Sequence, residues 1–163
     1  MIKYSENDIF SFLEEIPDPE IPVISIVELG VIRGVKINDN AVEIEITPTY
    51  SGCPAMKQME DDIISVLKAK GVEKVNLKTI YIPAWTTDWL SAEAKEKLRK
   101  YGIAPPEGTT NDKSVLMGKE KHIKCPRCHS KNTVLVSQFG STACKALYKC
   151  KDCLEPFDYF KCI

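Results

Sequence analysis

Four of the chain's seven cysteines stand as two Cys-x-x-Cys pairs, Cys125-Pro126-Arg127-Cys128 and Cys150-Lys151-Asp152-Cys153. The two-residue spacing lets the backbone curl around an ion with both sulfurs turned inward, and two such pairs joined by a short strand-like stretch make a four-thiolate cage. Soft thiolates in a tetrahedron select zinc or iron over hard cations. A complete set of four closes the site, so a structural zinc is the expected occupant. A redox iron or an iron–sulfur cluster is the alternative, since thiolates bind these too. Cys144 and Cys162 flank the second pair and keep that alternative open as additional thiols, although free cysteines are commonly buried apolar residues. His122 and His129 lie close by, but a four-sulfur set needs neither.

A second candidate is Cys53, in Thr47-Pro48-Thr49-Tyr50-Ser51-Gly52-Cys53-Pro54. It follows an expected strand and opens an expected helix, where unpaired N–H groups and the positive end of the helix dipole favour a thiolate. Gly52 is expected to allow close backbone approach, with hydroxyls of Thr49, Tyr50 and Ser51 around the sulfur. The bland alternative is a cysteine that merely packs at a helix start. One thiol cannot hold a cluster alone, so a metal role would need further ligands or a partner chain. The third candidate is the loop Asp18-Pro19-Glu20, whose carboxylates could bind a cation or move protons, although Asp-Pro is also ordinary turn chemistry. Arg33 either pairs with one of these carboxylates or sits on an exposed edge.

The elements that must position these residues can be read from periodicity. Ser5 caps a first helix with Asp8 in the capping-box position, and Ile9, Leu13 and Ile16 share its face. Pro17, Pro19 and Pro22 end it. Val31, Val35 and Ile37 alternate in a first strand interrupted by Arg33; Val42, Ile44 and Ile46 alternate cleanly in a second, with Asn38-Asp39-Asn40 as the hairpin turn. A helix begins at Pro54, carries Met56, Met59, Ile63, Val66 and Leu67 on one face and stops at Gly71. Residues 72–82 read as a third strand and 91–101 as a charged helix. Tyr81 to Trp89 is unusually apolar for a connection and, if exposed, is a candidate partner surface. Residues 1–103 are thus expected to form one α+β domain, 104–118 a linker, and 119–163 a small β-rich module that depends on its metal, which can supply on the order of 10 kcal/mol of folding free energy.

Composition bounds the rest. The chain has 163 residues, of which 44% are hydrophobic and 28% charged, and its net charge is −1. That balance gives no general reason to expect nucleic acid or a membrane surface as a partner. Lys119, Lys121, Lys124, Arg127, Lys131, Lys145 and Lys149 nevertheless make the C-terminal part locally basic. No signal peptide or span is evident, so the expected location is cytoplasmic, where cysteines serve as ligands or reactive thiols more than as disulfides. The Glu-x-x-His pairs of di-iron bundles are missing, as are Gly-rich nucleotide fingerprints, so a catalytic oxygenase role is not expected.

Asp18-Pro19-Glu20-Ile21-Pro22, Leu29-Gly30-Val31-Ile32 and Thr47 to Pro54 together resemble the MIP18-like domain of iron–sulfur assembly factors. The run Phe139 to Tyr148, with Cys150, Cys153, Glu155-Pro156-Phe157 and Phe160-Lys161-Cys162, resembles the narrower group of PaaD-type proteins of phenylacetate degradation. The resemblance implies a small N-terminal α/β sandwich followed by a zinc-ribbon-like module. It also implies a place beside the multicomponent oxygenase that converts phenylacetyl-CoA to its 1,2-epoxide. Carried over by motif, Cys53 is the reactive or cluster-contacting thiol, and Asp18, Glu20 and Thr49 belong to its surroundings. The function expected on this basis is non-enzymatic maturation of iron or iron–sulfur centres, in contact with the epoxidase subunits, its reductase or iron–sulfur assembly proteins. The alternative is a structural, non-catalytic subunit of the oxygenase.

Overall fold

Ser5 starts the chain's first helix as a reciprocal capping box: its hydroxyl accepts from the Asp8 N–H, and the Asp8 carboxylate accepts from the Ser5 N–H at 2.8 Å. Two of the first turn's orphan donors are satisfied this way. The computed structural model describes residues 3–38, 41–50, 52–108 and 121–161. Helix α1 spans Glu6–Glu14 and buries Ile9 and Leu13. The turn residues Asp39 and Asn40, Ser51, Lys119, the linker stretch 109–118 and Cys162 lie outside the described residues.

Strands β1 (Ile32–Asn38) and β2 (Ala41–Ile46) pair antiparallel. The simple alternation expected for β1 does not hold, because Ile32 faces Ile46 while Gly34 faces Glu45. Arg33 is therefore the extra residue of a bulge, exposed, and the phase of burial shifts so that Ile32 and Val35 point inward. In β2, Val42, Ile44 and Ile46 are fully buried, while Glu45 on the other face meets Lys36 at 3.2 Å and Lys78 at 3.4 Å. Helix α2 (Ala55–Ala69) buries Ala55, Met59, Ile63 and Leu67; each of the larger three contributes roughly 1.5–3 kcal/mol by leaving water. It crosses over to β3 (Val75–Thr79), which pairs parallel to β2 and completes the order β1-β2-β3. Parallel neighbours need such a helical crossover. Among the described residues, no helix is long and apolar enough to cross a membrane.

The chain then divides into two compact units, one up to Trp85 and one from Thr86 onward. This division falls earlier in the chain than the expected boundary at residue 103. After a 3-10 turn at Thr87–Trp89, helix α3 (Ala92–Tyr101) leads through Gly102, at φ +99°, into β4 (Ile103–Ala104). Strand β4 pairs parallel with β7 (Pro156–Phe160), so α3 and the start of the expected linker belong to the C-terminal unit. Its sheet has the order β4-β7-β6-β5, with β5 (Thr133–Ser137), β6 (Lys145–Cys150) and β7 antiparallel. The core of this sheet is small: Ala104, Ile123, Ala146, Tyr148, Phe157 and Tyr159, together with two cysteines, Cys125 and Cys150. Tyr148 stacks on Phe157 at 6.0 Å and meets Tyr159 edge-on at 5.7 Å.

Candidate metal centre and thiol site

The two knuckles are built alike. In each, the N–H of the first cysteine reaches forward five residues, from Cys125 to the Ser130 carbonyl at 2.8 Å and from Cys150 to the Glu155 carbonyl at 2.9 Å. In each, the residue after the second cysteine is left-handed, His129 at φ +64° and Leu154 at +65°. In each, an N–H two residues beyond the second cysteine points at its sulfur: Ser130 for Cys128, Glu155 for Cys153. This tight loop aims backbone donors at the thiolates and lowers the cost of gathering negative charge.

The four sulfurs of Cys125, Cys128, Cys150 and Cys153 lie within 4.8 Å of one another. Two edges are 3.7 Å (Cys125 to Cys153) and 3.5 Å (Cys128 to Cys150). A tetrahedral ion with metal–sulfur bonds of about 2.3 Å sets its sulfurs about 3.8 Å apart, so one such ion fits this cage. A multi-iron cluster, whose outer thiolates bind different irons, would spread the sulfurs further. Cys125 and Cys150 are buried and Cys128 is exposed. In the metal-free site, N–H groups of Cys153 and Asp152, partly opposed by burial, bring the Cys150 thiol down to about 7. Cys153 also receives a lowering bond, from the Glu155 N–H, but burial and the surrounding sulfurs push it up to about 12. Ion binding therefore competes with protons for these sulfurs.

A clamp that the sequence did not reveal holds the knuckles together. Ser130 and Asn132 both donate to the Asp152 carboxylate, Asn132 at 2.7 Å, and these bonds hold that carboxyl below its ordinary range. The Lys151 N–H donates to the Asn132 carbonyl at 2.8 Å. The only signal for this was a carboxylate inside a Cys-x-x-Cys pair. His122 and His129 are not ligands: Nδ1 of His122 lies 3.0 Å from the Thr133 carbonyl, and His129 is exposed on the knuckle's outer turn. Cys144 is buried and stands apart from the four-cysteine group, its sulfur 3.0 Å from the Thr142 hydroxyl. The basic residues do not form one free face, since Lys145 is buried against Ser141 and Lys121 bonds to the Glu107 carbonyl and the Tyr159 hydroxyl.

The N-terminal unit presents its candidates differently. Cys53 follows a turn closed by its own N–H on the Tyr50 carbonyl at 3.3 Å. Gly52 in that turn has φ +78°, and a Cβ there would meet nothing within 4 Å. The glycine is thus required for the left-handed backbone, not for the close approach expected of it. Cys53 is 9% exposed, and Thr49 is buried. The first turn of α2, which begins two residues on, has no side-chain cap and no acidic residue. Asp18 is 3% exposed, and its Oδ1 accepts from the N–H groups of Glu20 at 2.9 Å and Ile21 at 2.7 Å. Asp18 thereby holds the three-proline loop in shape; Glu20 stands half-exposed beside it.

Sheet register gathers these segments at one end. The Pro17–Val31 loop enters β1 at Ile32, which faces Ile46, and the Thr47 N–H donates to the Val31 carbonyl at 2.9 Å where the Cys53 segment departs. Ile80 leaves β3 at the same level, bonded to the Ile46 carbonyl. The indole of Trp85 donates to the Leu29 carbonyl at 2.8 Å, while Tyr81 and Ile82 stay exposed. The acidic loop, the thiol segment and the apolar connection therefore share the carboxyl end of the parallel pair β2/β3, where open α/β sheets place their ligands.

Fold and site define a protein of two parts, an α/β unit with a thiol at a strand-to-helix junction and a ribbon closed by four thiolates. Its first part, residues 6–77, matches the family described as iron–sulfur cluster assembly protein, and residues 109–161 match the family described as PaaD zinc beta ribbon domain. An Escherichia coli (strain K12) protein, named as one of the subunits of a "Putative 1,2-phenylacetyl-CoA epoxidase", is 47% identical over 96% of this chain and 93% of its own length. The chain belongs to this PaaD-type family, in which an iron–sulfur assembly domain of MIP18-like type precedes a zinc ribbon. A Porphyromonas gingivalis protein named Fe-S protein maturation auxiliary factor is 35% identical over 58% of this chain and 90% of its own. Among solved structures, a domain of unknown function from Bacillus anthracis superposes with TM-score 0.54 at 31% identity, over 57% of this chain and 90% of that one.

Proposed function

We propose that this protein is an accessory factor that matures or repairs the iron or iron–sulfur centres of a multicomponent phenylacetyl-CoA 1,2-epoxidase or its reductase, and does not itself catalyse the epoxidation. The iron or cluster is cargo. Cys53 is the thiol that contacts it, with Asp18 shaping the adjacent loop and Glu20 and Thr49 beside it. Because one thiolate leaves a cluster's other positions open, the client or an iron–sulfur assembly partner supplies the remaining ligands. Zinc is the resident ion of the ribbon, held by Cys125, Cys128, Cys150 and Cys153, where it supplies folding energy. A cytoplasmic location suits thiols that must stay reduced.

The observation that carries this reading is the separation between the sulfurs. Four lie within 4.8 Å of one another, while Cys53 lies outside that group, at an uncapped helix start in the assembly-type domain. The test is to purify the client oxygenase and reductase from cells carrying Cys53→Ser. Client short of iron, restored by anaerobic reconstitution with iron and sulfide, is the expected result. Fully metallated client would defeat the proposal. The name of the E. coli relative, which makes it part of the epoxidase, favours a second reading, a stable non-catalytic subunit. Fixed stoichiometry with the active complex, and loss of activity when the protein is stripped from already metallated client, would select it.

A further inference from the structure

We propose that the cleft between the end of α3 and the first cysteine knuckle docks an acidic segment of a partner protein. The cleft, about 360 Å³, is lined by Arg99, Lys100, Tyr101, Gly102, Pro126 and Arg127. Three cations converge there, and none of the described residues lining it is acidic, in a chain whose overall charge is −1. Arg99 and Lys100 have an ordinary explanation, since cations at the last turn of a helix complement its dipole. Arg127 does not share it: it comes from a different segment, between two metal ligands, and converges on the same space.

The three cations are not equally engaged. Arg99 is held side-on by Glu96, with Nε donating to Oε2 at 2.7 Å and Nη2 to Oε1, so its plane is fixed. Lys100 is exposed, and Arg127, 65% exposed, approaches Glu155 only at 3.9 Å. A pairing that long in high dielectric contributes little and yields to a better-placed carboxylate.

The cleft lies at the C-terminus of α3, whose dipole disfavours phosphate and carboxylate alike, so the side-chain cations must supply the attraction. Carboxylates on a flexible chain need only the guanidinium and ammonium groups, and Arg forks match them. The volume is at the small end for ligand clefts and suits a few acidic side chains. Tyr101, 53% exposed, offers an apolar flank. Because Arg127 is carried between Cys125 and Cys128, closing the cage around its ion sets its position, and capture should depend on metal.

The test uses the full-length zinc-loaded protein and a fluorescein-labelled peptide of alternating Glu and Gly, read by anisotropy. Binding that falls with added salt, is absent for the matching Gln peptide, and weakens roughly tenfold for each of Lys100→Gln and Arg127→Gln is expected. Lys57→Gln, on the exposed face of α2, should change nothing. Zinc content checks that Arg127→Gln keeps its knuckle; if it does not, Lys100→Gln decides. Unchanged affinity in Lys100→Gln overturns the proposal. So does displacement by inorganic phosphate at concentrations where acetate has no effect, which would identify a phosphate ligand instead. No client iron enters this measurement, so its failure leaves the maturation role standing, and the reverse holds.

Discussion

A Cβ at Gly140 would stand 2.3 Å from Oδ1 of Asp158 and 3.2 Å from Cβ of Lys145. The carboxylate cannot simply step aside, because Oδ2 accepts from the Ser141 hydroxyl at 2.7 Å, and that hydroxyl accepts from Lys145 Nζ at 3.0 Å. The loop also closes on itself, with the Gly140 N–H on the Lys145 carbonyl and the Lys145 N–H on the Thr142 carbonyl. Gly140→Ala should therefore cost about 1–3 kcal/mol, combining overpacking with displaced hydrogen bonds. In an Asp158→Ala background most of that cost should vanish, since the blocking carboxylate is gone. Thermal melts of the four proteins of this cycle check it, and equal costs in both backgrounds would reject the contact. Phe139, just before the glycine, is 68% exposed with Lys161 Nζ 4.9 Å above its ring, so the loop's anchors lie beneath it and its aromatic tip faces water.

At the scale of elements, what was legible in the sequence was what is local. Ser5 and Asp8 announced α1, the alternation in β2 announced its buried face, and the Cys-x-x-Cys spacing announced the cage. Features that depend on distant partners were not legible. The bulge at Arg33 exists only in the register against Ile46 and Glu45, and β4 is two residues long with partners at Asp158 and Tyr159. No period can reveal a two-residue strand, so Ala104 looked like the start of a linker although it is wholly buried. The same pairing yields a prediction about fragments. A piece beginning at Thr86 retains α3, which buries Ala94 and Leu98, and β4, which covers the open side of β7. A piece beginning at residue 109 leaves β7 as an edge and uncovers part of the small core. The longer fragment should melt higher when both are zinc-loaded, and equal melting temperatures would mean that α3 and β4 add nothing to the stability of the ribbon.

For the whole molecule, the two units draw their stability from different sources. The N-terminal unit packs Ile9, Leu13, Ile44, Ile46, Met59, Ile63 and Leu67 into a conventional apolar core. The C-terminal unit fills part of its core with two ligand cysteines, so removing the ion leaves protonating thiols where packing should be. Stripping the metal should therefore cost that unit most of a contribution on the order of 10 kcal/mol. The dependence on pH has a definite sign. Cys150, lowered to about 7, favours the folded site above its ordinary value of 9.0, and that contribution is lost as pH falls through about 7. Cys153, raised to about 12, favours the metal-free fold below 9.0 and opposes loading, since its proton must leave before it can ligate. Metal affinity should accordingly fall as the solution is acidified from about pH 8 to 5, through proton competition for the thiolates. Hydrogen exchange read peptide by peptide separates the units: after chelation or acidification, β5, β6 and β7 should lose protection while β1, β2 and β3 keep theirs. Undiminished protection of β5–β7 once the ion is gone would mean that the aromatic cluster of Tyr148, Phe157 and Tyr159 suffices to hold the ribbon, and that the cage serves something other than its fold.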